Sequence, residues 1–347
     1  MSESIPKIVE HIFPLEAHEN RQRLLQTGNL NLTCLKNVFE LDWGRKLEQD
    51  TFCSGLLVSE IFQLIFGSTL LNVNIDSSAK NLLADYMSKI ASSSGGAFPT
   101  LPRMDWQRKS RIYSTFYFLA LLNLLDPHEY FLSKNKDWSR KTSLWLLSLQ
   151  EESGLNEGAF READCPMSIT PENTFWAIWS LSYLGKSEND GELNVKIKKA
   201  LSWVSDHFLH NRRGWSVTRL FYAVDTLHLF GELPNLSNEM VMDVQAFVRS
   251  MDTLEGYHEY PSSVKEGYRE EITRHHSCLH SGLYANLLLK IIGNHSFTTN
   301  DLTILVDRFL TKEGYGTKVK IKEYNYGPIS TIFENMLTTV TFLSACP

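Results

Sequence analysis

The chain has 347 residues, a formal charge of −6 and 43% hydrophobic residues. A pI near 6.0 without a basic stripe argues against a nucleic-acid partner. Its longest apolar runs, such as FYFLALLNLL, are too short to cross a bilayer. Five cysteines (Cys34, Cys53, Cys165, Cys278, Cys346) are odd in number and lack CxxC spacing, so neither a disulfide framework nor a zinc ribbon is expected.

The first segment, MSESIPKIVEHIFPLE, alternates charged and apolar residues without a long apolar core. This reads as a reduced, soluble, cytoplasmic protein with no leader. Residues 1–45 form a helical segment with little repeat character. From about residue 50 onward a unit recurs: an apolar helix, a polar turn ending in Gly and an aromatic residue, then a second apolar helix. A weak first copy ends in FCSGLLVSEIFQLIFG. Five clear copies follow. They are LADYMSKIASSSGGAF with SRIYSTFYFLALLNLL, SLWLLSLQEESGLNEGAF with ITPENTFWAIWSLSYLG, and ALSWVSDHFLHNRRGWSVTRLFYAVDTLHLFG. The last two are VQAFVRSMDTLEGYHEY with RHHSCLHSGLYANLLLKIIG, and LVDRFLTKEGYGTK with YGPISTIFENMLTTVTFLS.

Local chemistry explains the unit. Gly96, Gly158, Gly214, Gly256 and Gly314 precede or closely approach the turn aromatic, where a positive φ past a helix end is cheap only for glycine. The second helices, such as FWAIWSLSYL and LYANLLLKII, are apolar nearly all round and should be buried on several faces. The first helices, such as IKKALSWVSDHF, are mixed and should form an outer layer. No segment sustains period-two alternation, so strands should be few. The fold class expected is all-α, as a single domain over 1–347 with about six helical hairpins. Aromatic residues make up 12% of the chain, enough for ordinary core packing or for a ring-lined cavity.

The third copy, SLQEESGLNEGAF followed by TFWAIWSLSYLG, resembles the repeat of protein prenyltransferase β subunits and of squalene and terpene cyclases. That repeat reads as a Leu-x-x-x-Gln helix end, a Gly-Gly-Phe turn and Thr-Tyr-x-Ala-x-x-x-Leu. The resemblance covers most of the chain from roughly residue 50, and the third copy matches most closely. It implies an α/α toroid, with inner and outer helices around a central apolar cavity and the inner helix N-termini ringing its mouth. The substrate it implies is a prenyl diphosphate or a similar isoprenoid.

Under that layout Arg111 and Tyr113, Glu172 with Asn173 and Thr174, Arg219, Arg274 with His275 and His276, and Tyr324 with Tyr326 fall at the mouth. Helix N-termini reinforced by arginine suit an anionic head group. Arg111, Tyr113, Trp176, Trp179, Arg219, Tyr222, Arg274, His275 and Tyr326 are accordingly assigned to substrate. The cyclase acid motif, Asp-x-Asp-Asp-Thr, aligns with TPENT, placing Glu172 at the acid's position and departing at two of three acidic positions. Asp225 in YAVDTLHLF is a second acid, since an ionised Asp inside an apolar helix is costly without a partner. A carboxyl kept neutral by burial is the form a proton donor requires.

The prenyltransferase zinc motif is matched only in part. HHSCLHSGL aligns His276 or His275 with its histidine, but the Asp-x-Cys partner is replaced by Glu172-Asn-Thr174. Catalytic zinc takes three protein ligands, so no metal site is assigned, and His276 is kept as a catalytic candidate. Mg²⁺ would accompany a diphosphate substrate, and Zn²⁺ belongs to the transferase alternative alone. No P-loop, dinucleotide fingerprint, HExxH or GxSxG occurs. The reading carried forward is a terpene-cyclase-like, isoprenoid-processing enzyme without a transmembrane segment. Two alternatives stay open: a zinc-dependent prenyltransferase β-like subunit, or a non-catalytic toroid binding a protein partner. A peripheral membrane contact or a partner subunit fits any of these.

Overall fold

The computed structural model describes residues 62, 84, 98, 111–125, 130–163, 165–185, 191–253, 256–257, 279–293, 310–311 and 314–315. Of these, 75% are helical. Strands among them are confined to three two-stranded antiparallel pairs, β1–β2 (Arg161–Glu162, Cys165–Ile169), β3–β4 (Asp252–Thr253, Gly256–Tyr257) and β5–β6 (Leu310–Thr311, Gly314–Tyr315). No helix among the described residues is long and apolar enough to cross a membrane. The chain divides into two compact units, Lys36–Trp203 and Met1–Leu35 with Val204–Pro347.

The first unit contains α1 (Ile112–Leu125), α2 (Tyr130–Lys134), α3 (Lys136–Leu147), α4 (Pro171–Leu184) and α5 (Gly191–Ser202). α1 has no charged residue and buries Ile112, Ser114, Thr115 and Phe118 through Leu122. α4 begins where Thr170 leaves the helical conformation and its hydroxyl accepts the Asn173 N–H, with Pro171 at the first helical position, both favourable start signals. It buries eleven of its fourteen residues. α3 differs: its buried residues are Trp138, Thr142 and Leu146, a single stripe at the i, i+4, i+8 spacing of an amphipathic helix.

α1 and α4 pack together and run in the same sense. The Tyr113 ring meets Trp176 at 5.4 Å and the Phe116 ring meets Trp179 at 4.9 Å. The partners advance three residues along both helices, so the two N-termini lie at one end. Each helix also receives the same contact from the turn before it. The buried N–H of Phe98 donates to Thr115 Oγ1 at 3.1 Å, and that of Phe160 donates to Thr174 Oγ1 at 3.2 Å. The Gly-Ala-Phe doublet of two copies thus serves one purpose, to seat a fully buried phenylalanine against a threonine of the following helix.

The glutamine ending α3's extension has an equally direct role. Gln150 Nε2 donates to the carbonyls of Gly158 and Lys196, each at 2.9 Å, joining the turn to α5. Lys199 and Lys196 pair with Glu157 and Glu152 along the same seam. Gly158 has φ +94°, and a Cβ there would overlap the Lys199 carbonyl. Here the left-handed glycine expected from the sequence is present. Gly214 departs from that expectation: it closes a 3₁₀ turn (Arg212–Gly214) with φ outside the left-handed region. Gly256 and Gly314 open the second strands of hairpins. The turns share a glycine–aromatic doublet but differ in length, so the doublet meets different backbone geometry in each copy.

The second unit opens in a π-helical stretch, Trp203–Phe208, that begins at the end of the first unit. α6 (Val217–Leu229) follows, capped by Ser216, whose hydroxyl accepts the Arg219 N–H at 3.2 Å. α7 (Asn238–Ser250) is capped by Ser237 and buries a stripe of Met240, Val244 and Val248. α8 (Leu279–Ile291) packs on α6. α6 is buried continuously from Leu220 to Leu227. Both units therefore contain two helix classes, one buried nearly all round and one buried along a stripe. The contrast in burial between first and second helices expected from the sequence is present in these helices.

Cap-to-glycine spacing aligns the copies. Thr170 to Gly185 and Ser216 to Gly231 are the same distance apart in sequence, which matches Trp176 with Tyr222 and Trp179 with Asp225. Counting back from Gly293 matches Tyr284, and the shared threonine contact matches Tyr117. An aromatic ring thus recurs at one position of four helices.

Gly158→Ala should destabilise the protein by more than roughly 1 kcal/mol, because left-handed strain is joined by the clash with the Lys199 carbonyl. Gly154→Ala, also left-handed at φ +84° but in open space, should show the strain alone. Chemical denaturation of both variants checks this, and equal losses would contradict it.

Candidate functional site

In the first unit the sequence candidates Tyr113, Trp176 and Trp179 come together between α1 and α4. Tyr113, Phe116, Tyr117 and Trp176 are half-buried and form a cluster of edge-to-face pairs at 4.9–5.4 Å, with Phe116 also stacked on Trp176 at 6.4 Å. Trp179 lies deeper. It is sealed from solvent, stacked on Tyr183 at 5.5 Å and edge-on to Phe116 at 4.9 Å. Glu172 sits one turn before Trp176 in the first turn of α4, half-buried, with Oε2 shielded from solvent.

The helix ends expected to grip an anion are already partly used by the protein. Arg111 is exposed just before α1, but the Ile112 N–H donates to Glu162 Oε1 at 3.2 Å. Thr170 and Ser216 occupy the starts of α4 and α6. Arg219 is half-buried, and its Nη1 donates to the Gly214 carbonyl at 3.4 Å. An anion at these ends would be held chiefly by arginine side chains, since part of the backbone N–H capacity is taken.

In the second unit Tyr222 and Asp225 lie on one face of α6, three residues apart. Tyr222 is 8% exposed and its hydroxyl is 3.2 Å from that of Tyr284 on α8. Phe221 stacks on Tyr284 at 4.5 Å. Asp225 is 0% exposed, and neither carboxylate oxygen has a hydrogen-bond partner among the described residues. Removal from water raises its pKa from 3.8 to about 7, because burial penalises the charged form. A carboxyl in this setting keeps its proton near neutral pH. Tyr284 and Phe221 were not singled out from the sequence; the recurring aromatic position of the repeat is the signal that finds Tyr284.

The remaining candidates, Arg274, His275, His276 and Tyr326, lie outside the described residues, as do Cys278 and Tyr324. Among the described residues no three His, Cys, Asp or Glu side chains gather as a metal site would require.

The buried carboxyl makes stability depend on pH with a definite sign. Between pH 3.8 and about 7 the unfolded chain ionises Asp225 while the folded chain does not. The folded state therefore loses stability as pH rises through this window, by a total on the order of 4 kcal/mol. Asp225→Asn should remove that component, so its unfolding free energy should fall less than the wild type's between pH 4 and pH 7.5. Denaturant titrations across the window measure both slopes, and parallel slopes would refute the assignment.

No protein-family model matches the chain, and no curated protein sequence matches it.

Proposed function

We propose that this protein is a terpene-cyclase-like enzyme that protonates and rearranges an isoprenoid chain, with Asp225 as the proton donor. The observation that carries the reading is a fully buried carboxyl, without a hydrogen-bond partner among the described residues, one helical turn from a tyrosine pair. With a pKa of about 7 such a group is about half protonated at neutral pH and fully so below it, and an acid acting on an alkene must carry its proton. The neighbouring rings of Phe221, Tyr222 and Tyr284 offer negative π faces that would stabilise a carbocation. The half-buried aromatic cluster of Tyr113, Phe116, Tyr117 and Trp176 is suited to hydrocarbon in the same way.

In this reading the fold is an α/α toroid, and the arginines assigned to substrate hold the diphosphate head group. Protonation at the far end of the chain leaves the diphosphate attached, so its role is anchoring. Glu172 belongs to the rim beside Trp176, where the first turn of a helix favours a negative charge. This divides the two acid candidates: Asp225 donates the proton, and Glu172 shapes the entrance.

Incubation with farnesyl and geranylgeranyl diphosphate, followed by mass spectrometry of the products, tests the reading. Asp225→Asn should lower turnover by about 10²–10⁴-fold, the usual contribution of a general acid, while Glu172→Gln should chiefly raise KM. Turnover unchanged in Asp225→Asn would exclude Asp225 as the acid.

A further inference from the structure

We propose that the solvent-facing side of α3 (Lys136–Leu147) is a docking surface for an anionic phospholipid membrane. Its role is independent of Asp225 acting as an acid. Trp138, Thr142 and Leu146 form the buried stripe of the helix. Lys136, Arg140 and Leu144 form a second row with the same four-residue spacing, shifted by two residues. At 3.6 residues per turn a shift of two residues is about 200°, so this row lies opposite the buried one. Lys136 and Arg140 are exposed, as is Lys141, next in the chain, and Leu144 is 58% exposed. Trp145 is half-buried beside it. Asp137 is the one acid of the helix and offsets one of its three cations.

The mixture of charge and apolar surface favours lipid over other acidic partners. A helix lying on a bilayer uses lysine and arginine at the phosphate layer and leucine and tryptophan at the acyl boundary. An acidic protein segment would use the cations but gains little from an exposed leucine in the same row. The whole chain carries −6, which opposes approach to an anionic surface. Charges farther away than a Debye length of about 10 Å are largely screened, however, so at contact the sign of the docking face decides. α5 (Gly191–Ser202) lacks this balance. Val195 is 54% exposed there, but Lys196 and Lys199 are held by Glu152 and Glu157, and Glu192 offsets Lys198. α3 keeps a positive balance in line with its exposed leucine.

Co-sedimentation of the full chain with vesicles tests the proposal. Wild-type protein should pellet with phosphatidylcholine vesicles containing roughly a quarter phosphatidylserine, where each basic residue adds about fivefold to partitioning. It should stay in solution with phosphatidylcholine alone, and added salt should release it from the anionic vesicles. Arg140→Gln should weaken binding by about fivefold, and Arg140→Glu by more, since it adds an opposing charge. Lys198→Glu on α5 makes the same change in net charge and should leave binding near the wild-type value. Leu144→Ser should weaken binding by roughly fivefold through lost apolar contact. Thermal melts followed by circular dichroism check that each variant is folded. Wild-type protein that ignores the anionic vesicles at low salt overturns the proposal. So do equal losses in Arg140→Glu and Lys198→Glu, or folded α3 variants that bind as the wild type does. Protein that ignores vesicles but binds polyglutamate through Arg140 assigns the face to an acidic polypeptide and overturns the membrane assignment.

Discussion

A helix buried on every side leaves its polar side chains few places to bond, because its N–H groups are already engaged in the helical ladder. The solution used repeatedly here is to donate to a carbonyl one turn earlier. Thr174 donates to Thr170 at 3.1 Å, Thr226 to Tyr222 at 2.6 Å and Asn286 to Gly282 at 2.8 Å. Hydroxyls and amides can do this; an ionised carboxylate, which only accepts, cannot. Asp225 is thus the one residue type in such a helix for which charge has no local compensation. Losing the charge is the cheaper state.

The same constraint shapes the turns. A buried phenylalanine brings a buried N–H with it, and an unsatisfied N–H costs about 1–3 kcal/mol. Thr115 and Thr174 supply the acceptors for Phe98 and Phe160, and Gln150 ties the Gly158 turn to α5. Because these polar contacts recur at matched positions, the helices inherit a common register. That register, rather than any single residue, sets an aromatic ring at Tyr117, Trp176, Tyr222 and Tyr284.

Much of this was legible in the sequence. The two helix classes follow from whether apolar residues surround the helix or line one stripe of it, a property of spacing alone. The frustrated position of Asp225 was legible for the same reason, since it stands mid-helix among apolar residues. Tyr284 was not, because its pairing with Tyr222 depends on how α6 and α8 align, which the caps and closing glycines reveal only once the helix ends are placed. Glu162 at the start of α1 was hidden too: it comes from the β1–β2 hairpin between Phe160 and α4, where no repeat pattern guides the eye. The glycine–aromatic doublets misled in part, as identical dipeptides were read without the loop length that decides their φ.

Trp179 and Asp225 occupy the same repeat position with opposite consequences. In the first unit that position is closed by a large ring packed on Tyr183 and Phe116, which is what burial alone favours. In the second unit it holds a carboxyl whose pKa of about 7 records a substantial cost to the folded state. Glu172 stands instead in the first turn of α4, at the helix end where the dipole favours negative charge. An apolar residue at 225 would pack as Trp179 does and would leave stability independent of pH there. Under the proposed function, the reason to keep a carboxyl at that depth is the proton it holds.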